Sequence, residues 1–129
     1  MNDHPNATLT RAMLDAFSTG NLEAVGATFA PDAVWELPGR GVLAGTFHGP
    51  GEIIGFLARS FELSGGSLRV EPIEVLGDDW GSVQVQRVTG EHEGRRLDCV
   101  EVLAHRIVDG RIVHTYHRPD QYALDAFFG

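Results

Sequence analysis

Four stretches in the second half of the chain alternate apolar and polar side chains with a period of two. They are "SLRVEPIEVLG" (67–77), "WGSVQVQRVTGE" (80–91), "RRLDCVEVLAHRIV" (95–108) and "RIVHTYHR" (111–118). The alternation predicts strands that each bury one face. The short turns "DD", "HEG" and "DG" separate them, so the four read as a meander of hairpins. The first half is periodic in the helical sense. In "ATLTRAMLDAFSTGN" the residues Leu9, Met13, Ala16 and Phe17 share a face, Thr8 or Thr10 can cap the start and Gly20 ends it. "NLEAVGATFAPDA" predicts a shorter helix with Asn21 as cap, the stripe Leu22, Val25 and Phe29, and Pro31 as its stop. "AVWEL" (33–37) is a short strand followed by a glycine-rich loop, and "PGEIIGFLARSFELS" is a third helix opened by Pro50. "DQYALDAFFG" closes the chain as a short helix capped by Asp120. Helices first and a meander afterwards give an α+β class in one domain over residues 1–129. A twisted sheet that must bury one face curls over the helices as a cone, with a pocket in its mouth.

The faces of the strands decide which side chains reach that pocket. On 95–108 one face carries Leu97, Cys99, Glu101, Leu103, His105 and Ile107; the other carries Asp98, Val100, Val102, Ala104, Arg106 and Val108. The first set is bulkier and embeds ionisable groups among apolar ones, as the lining of a cavity does. On 111–118 the two sets are Ile112, His114, Tyr116 and Arg118 against Val113, Thr115 and His117. On 80–91, Ser82, Gln84, Gln86 and Val88 oppose Val83, Val85 and Arg87. The outer valines Val83, Val85, Val100 and Val102 would leave apolar surface in water, so a homodimer through that face is expected.

Charge narrows the partners. There are 18 acidic against 10 basic residues, a net charge of −8, which argues against nucleic acid and against a polybasic membrane surface. All ten basic residues are arginine, so no lysine Schiff base or phosphate-loop lysine exists. The single Cys99 allows neither an intrachain disulfide nor a cysteine zinc cluster. No apolar run approaches a membrane span, and "MNDHPNATLT" lacks the basic and apolar regions of a leader, so a cytoplasmic location is expected.

The order "GNLEAV", "ATFAPDAVWELPG", "GTFHGPGEIIGF", meander, "DGRIVHTYHRPDQ" resembles the SnoaL-like branch of the nuclear transport factor 2-like superfamily, from about Leu9 to Tyr122. Ketosteroid isomerases, limonene epoxide hydrolases, scytalone dehydratases and polyketide cyclases share that fold. The resemblance implies the inward register: Thr115 and His117 on the last strand, the glutamines Gln84 and Gln86, and Trp35 with Leu37. It also implies departures. The proton-abstracting aspartate of the isomerases falls on Leu37 and their helix-1 tyrosine on Met13, whereas their second aspartate falls on Glu101. The carboxylate that the cyclases carry on the last strand falls on His117. The family's isomerase route is therefore not expected here.

The resulting candidates are Glu101 and His117 as an acid/base pair, with Glu101 the neutral acid and His117 the neutral base. Trp35, Leu37, Met13, Gln84, Gln86, Cys99, Leu103, His105 and Thr115 are candidates for contacting a small apolar, oxygenated molecule. Plainer readings stand beside these: Glu101 paired to an arginine at an edge, His105 as a satisfied wall histidine, Trp35 as packing. No metal is expected, because the two rings of "HTYH" point to opposite faces of a strand. No cofactor is expected either, since "PGRGVLAG" is not a dinucleotide fingerprint. Three functions fit: a cofactor-free isomerase, cyclase, dehydratase or hydratase; a binding protein without turnover; or a dimerisation domain.

Overall fold

The computed structural model describes residues 3–129; Met1 and Asn2, at the head of the segment read as lacking a leader, lie outside the described residues. The elements in chain order are α1 (Pro5–Ser18), α2 (Leu22–Gly26), β1 (Phe29–Leu37), β2 (Gly45–His48), α3 (Gly49–Leu63), β3 (Arg69–Gly77), β4 (Gly81–His92), β5 (Arg95–Val108), β6 (Arg111–Arg118) and α4 (Gln121–Phe128). The strands form one curved, unclosed sheet in the order β2-β1-β6-β5-β4-β3. Its pairings are antiparallel except β1 with β6, which run parallel. The cone expected from the sequence is therefore built on a mixed rather than a purely antiparallel sheet.

Two tight turns set the register of the meander. Glu93-Gly94 and Asp109-Gly110 both hold positive φ at both positions, 52° and 77°, then 51° and 75°. That is the two-residue turn whose twist matches the flanking strands. It pairs His92 with Arg95 and Val108 with Arg111. The alternation on β5 is clean, with Leu97, Cys99, Glu101, Leu103, His105 and Ile107 all buried. On β6 one residue breaks the expectation. Arg106 faces His114 but Ile107 faces Ile112, so Val113 is an extra residue on β6. The bulge turns Ile112 inward, fully buried, instead of outward with His114 and Tyr116.

The helices cover one face. α1 is capped by His4, with Pro5 in its first turn, rather than by Thr8 or Thr10. Thr10 lies buried against β4, where its Oγ1 is 2.6 Å from Ser82 Oγ. α3 buries Ile53, Phe56 and Ser60 at helical spacing and packs on β1. α4 starts at Asp120, whose carboxylate accepts the amide of Ala123 at 3.1 Å, and buries Leu124 and Phe127 near β5. Two expectations fail locally. The second helix stops at Gly26, and Phe29 and Pro31 belong to β1, where the break in register with β6 between Phe29 and Val34 accommodates the proline. The glycine-rich loop contains the edge strand β2. Among the described residues no helix is long and apolar enough to cross a membrane.

Candidate active site

The cone encloses a cavity of about 80 Å³ whose wall is almost wholly apolar. Trp35 and Leu37 of β1, Met13 of α1 and Leu103 of β5 are in that wall. Its polar side is made by Gln84, Gln86, Glu101 and His117. The four positions singled out by the family resemblance, Met13, Leu37, Glu101 and His117, thus meet in one space. The half-buried Phe17, Leu57, Val70 and Phe128 also line it and mark its mouth.

Strand pairing explains the polar side. Gln86 stands directly opposite Glu101 across β4 and β5, and His117 of β6 stands opposite Leu103, one inward step from Glu101. Glu101 is only 4% exposed. Its Oε1 accepts two bonds, from Gln86 Nε2 at 3.0 Å and from His117 Nε2 at 3.0 Å. Its Oε2 has no hydrogen-bond partner among the described residues. No buried side-chain oxygen or nitrogen among those residues is orphaned, so Oε2 opens onto the cavity.

The ring of His117 is committed at both nitrogens. The indole of Trp35 can only donate, and its Nε1 lies 3.3 Å from His117 Nδ1. Nδ1 must then be the acceptor, and the ring hydrogen sits on Nε2, donated to Glu101. The two rings meet edge to face, centroids 5.6 Å apart. This corrects the expected division of labour. His117 has no lone pair to spare for a ligand, and two N–H donors converge on Glu101, an arrangement that suits a carboxylate. The arginine pairing considered for Glu101 is absent among its bonds.

Three expected contact residues stand behind the cavity rather than in its wall. His105 is fully buried, its Nε2 2.7 Å from Gln84 Oε1 and its Nδ1 2.7 Å from Thr115 Oγ1. Burial, with a smaller contribution from His117, pushes its pKa down to about 3, so the ring is neutral. Thr115 is fully buried at the end of that bond. Cys99 lies two residues before Glu101 on the same face of β5, where burial first and the charge of Glu101 second raise its thiol to about 12. It is an inert core residue. Alternation tells which face a residue is on, but not how far along the strand the cavity extends. Sequence reading also missed the helical wall: Phe56 and Ser60 of α3, and Leu124 and Phe128 of α4. Helical spacing carries no sign of the space beneath a helix. Among the described residues no group of three or more potential ligands could hold a metal ion.

On the opposite face of β6, His114 Nε2 is 2.8 Å from Glu36 Oε2, and Arg118 reaches Glu36 Oε1 at 3.2 Å. The hydrogen bond from His114 holds the Glu36 carboxyl below its usual range. Tyr116 stacks on His114 with centroids 4.2 Å apart.

Comparison with known proteins agrees with this architecture. The model of the SnoaL-like domain family matches residues 10–115. The protein Rv0034 of Mycobacterium tuberculosis is 31% identical over 113 residues, 87% of this chain and 86% of its own. Among solved structures, Bal32a from a soil-derived mobile gene cassette superposes with a TM-score of 0.91 at 28% identity, covering 97% of each chain. A protein with a cystatin-like fold from Xanthomonas campestris gives 0.87 at 26% identity, covering 100% of this chain and 99% of its own.

Proposed function

The chain belongs to the SnoaL-like domain family, and from that premise we propose that it is a small-molecule pocket protein that performs cofactor-free acid/base chemistry. Its substrate is a neutral, apolar, oxygenated molecule, and Glu101 is the base. The single observation that carries this reading is Glu101 itself: a carboxylate in an apolar wall, one oxygen held by two N–H donors and the other open to the cavity. A buried carboxylate without an arginine is costly unless its site uses it.

The chemistry follows from the groups present. Glu101 Oε2 takes a proton from a carbon next to a carbonyl, and the C–H electron pair moves into the enolate. Gln84 and Gln86 each have a second amide N–H beyond those spent on protein, available to the enolate oxygen. In a β,γ-unsaturated ketone the proton then returns from Glu101 to the γ-carbon of the dienolate, an isomerisation; alternatively the enolate carbon attacks a second carbonyl, whose oxygen takes the proton back from Glu101 as the C–O π pair becomes its O–H bond, a cyclisation. Both balance without an added reagent. An anionic ligand is disfavoured by Glu101 and by the net charge of −8. A cavity of about 80 Å³ takes a slender molecule, and a bulkier one requires the phenylalanines of the mouth to swing aside.

The test is deuterium exchange. Small apolar ketones such as 2-cyclohexen-1-one and 1-indanone, incubated with the protein in D2O, should exchange their α-hydrogens faster than in buffer, and Glu101→Gln should remove the acceleration. A second reading, ligand binding without turnover, is favoured by the apolar Met13 and Leu37 where the related isomerases carry acid/base groups. Binding of these ketones with no exchange would decide for it.

We also propose that the outer sheet face joins two copies of the chain. Val100, Val102 and Val83 are 53%, 40% and 37% exposed there, beside Trp80 at 44%. Sedimentation at micromolar concentration should show a species of twice 14.0 kDa; a monomer alone would refute it.

A further inference from the structure

From behind the cavity wall into the wall itself runs an unbroken chain of buried side chains: Thr115, His105, Gln84, Gln86, Glu101. It passes from β6 through β5 to two members of β4 and back to β5, and each member is no more than 5% exposed. Its direction can be deduced link by link. Gln86 donates its Nε2 hydrogen to Glu101 Oε1 at 3.0 Å, which turns its Oε1 toward Gln84. Gln84 Nε2 donates to that oxygen at 2.7 Å, which in turn directs Gln84 Oε1 to His105. An amide oxygen can only accept, so His105 Nε2 must carry the hydrogen. The neutral ring then has its lone pair on Nδ1, and the Thr115 hydroxyl must donate to it at 2.7 Å. All four hydrogen bonds therefore run one way and end on the carboxylate. Each link polarises the next in a medium of low dielectric. Reversing any one of them would place two acceptors or two donors face to face in a buried setting, at the cost of an unsatisfied polar pair.

We propose that Thr115, His105, Gln84 and Gln86 form a one-way hydrogen-bond relay that holds Glu101 as an acceptor aimed at the cavity, and that His105 is the positioning residue that fixes its direction. The proposal rests on the reading that Glu101 meets the ligand, and it adds the reason that a histidine outside the cavity matters to it. Rigid donors on Oε1 leave Oε2 as the one oxygen for a substrate. The two glutamines, fixed by the same chain, present their remaining N–H groups in a set orientation.

The experiment needs no ligand. Long-range nitrogen–proton spectra of the protein with ¹⁵N-labelled histidine, taken at neutral pH, should show His105 protonated at Nε2 and bare at Nδ1. The opposite tautomer overturns the relay, whatever the protein's activity. His105→Gln and His105→Leu then separate direction from packing. Glutamine offers an N–H to Gln84 and an oxygen to Thr115, so Gln86 should keep slowly exchanging side-chain amide hydrogens. Leucine ends the chain, and exchange at Gln86, which His105 does not touch, should quicken by about tenfold, the scale of one lost hydrogen bond. Equal behaviour of the two variants would reduce His105 to a space-filler and sink the proposal. If neither variant folds, the tautomer in the unaltered protein still decides. Correct tautomers in a protein that exchanges no ketone would remove the base and leave the relay standing.

Discussion

Strand β6 carries two histidines three residues apart, and each is bonded to a glutamate. On the inner face His117 meets Glu101 at 3.0 Å; on the outer face His114 meets Glu36 at 2.8 Å. The side chains of the inner pair are 10% and 4% exposed, and those of the outer pair 27% and 34%. By distance alone the outer contact is the better one. Yet the inner histidine has its second nitrogen taken by Trp35 and its carboxylate shared with Gln86, all of them buried. The outer glutamate is shared with Arg118 within reach of solvent, which screens it. The same two residue types make a candidate site on one side of the sheet and a half-exposed hydrogen-bonded pair on the other, and the difference is desolvation, not geometry.

Removing the carboxylate charge should break that contrast most severely. Glu101→Gln keeps the shape and should lower ketone α-exchange by about 10²-fold or more, the usual scale for a lost general base; the deuterium assay reads it. His117→Leu should cost about 3 kcal/mol in urea unfolding, because it strands a buried carboxylate with one donor fewer. A penalty under about 1 kcal/mol would mean that the inner pair is no different from the outer one. Acid should expose the interior next. His105, flanked by Gln84, Thr115, Trp35 and His117, stays neutral in the folded chain down to about pH 3 but protonates near pH 6.5 once unfolded. The unfolded state thus binds the extra proton between those values. Stability should fall as pH drops through that window, by at most about 1.4 kcal/mol per unit from this group, and His105→Gln should flatten the profile. The smallest effect belongs outside. His114→Ala should leave exchange unchanged and cost less than about 1 kcal/mol, diminishing further in high salt.

The contrast between the faces was legible in the sequence because period-two alternation survives on β4 and β5 without interruption. It failed at Ile112, where one bulge residue inverted the parity, and nothing in "RIVHTYHR" announces an extra residue. Strand β2 escaped because four residues in a glycine-rich run carry too short a pattern, and Phe29 passed for the last turn of a helix because its spacing from Val25 is helical. Of the candidate site, Glu101, His117 and the two glutamines meet as the inward register expects, whereas the α3 and α4 side of the cavity and the direction of the hydrogen bonds were not legible. Whether His117 is a base or a donor depends on an indole hydrogen 82 positions away in the chain. Depth was equally hidden: Cys99, His105 and Thr115 share the inward face with Glu101 yet stop short of the cavity.

The parallel join of β1 to β6 has a consequence for how the molecule is made. β6 lies between β1 and β5, so until residues 111–118 have left the ribosome the sheet exists only as two fragments, β2-β1 and β5-β4-β3. The local hairpins of the meander can form early, whereas the contact between residues 34 and 114 closes a long loop and has to come late. A nascent chain halted after residue 110 should remain sensitive to protease in its first half, and the eight residues that follow should confer resistance on both ends together.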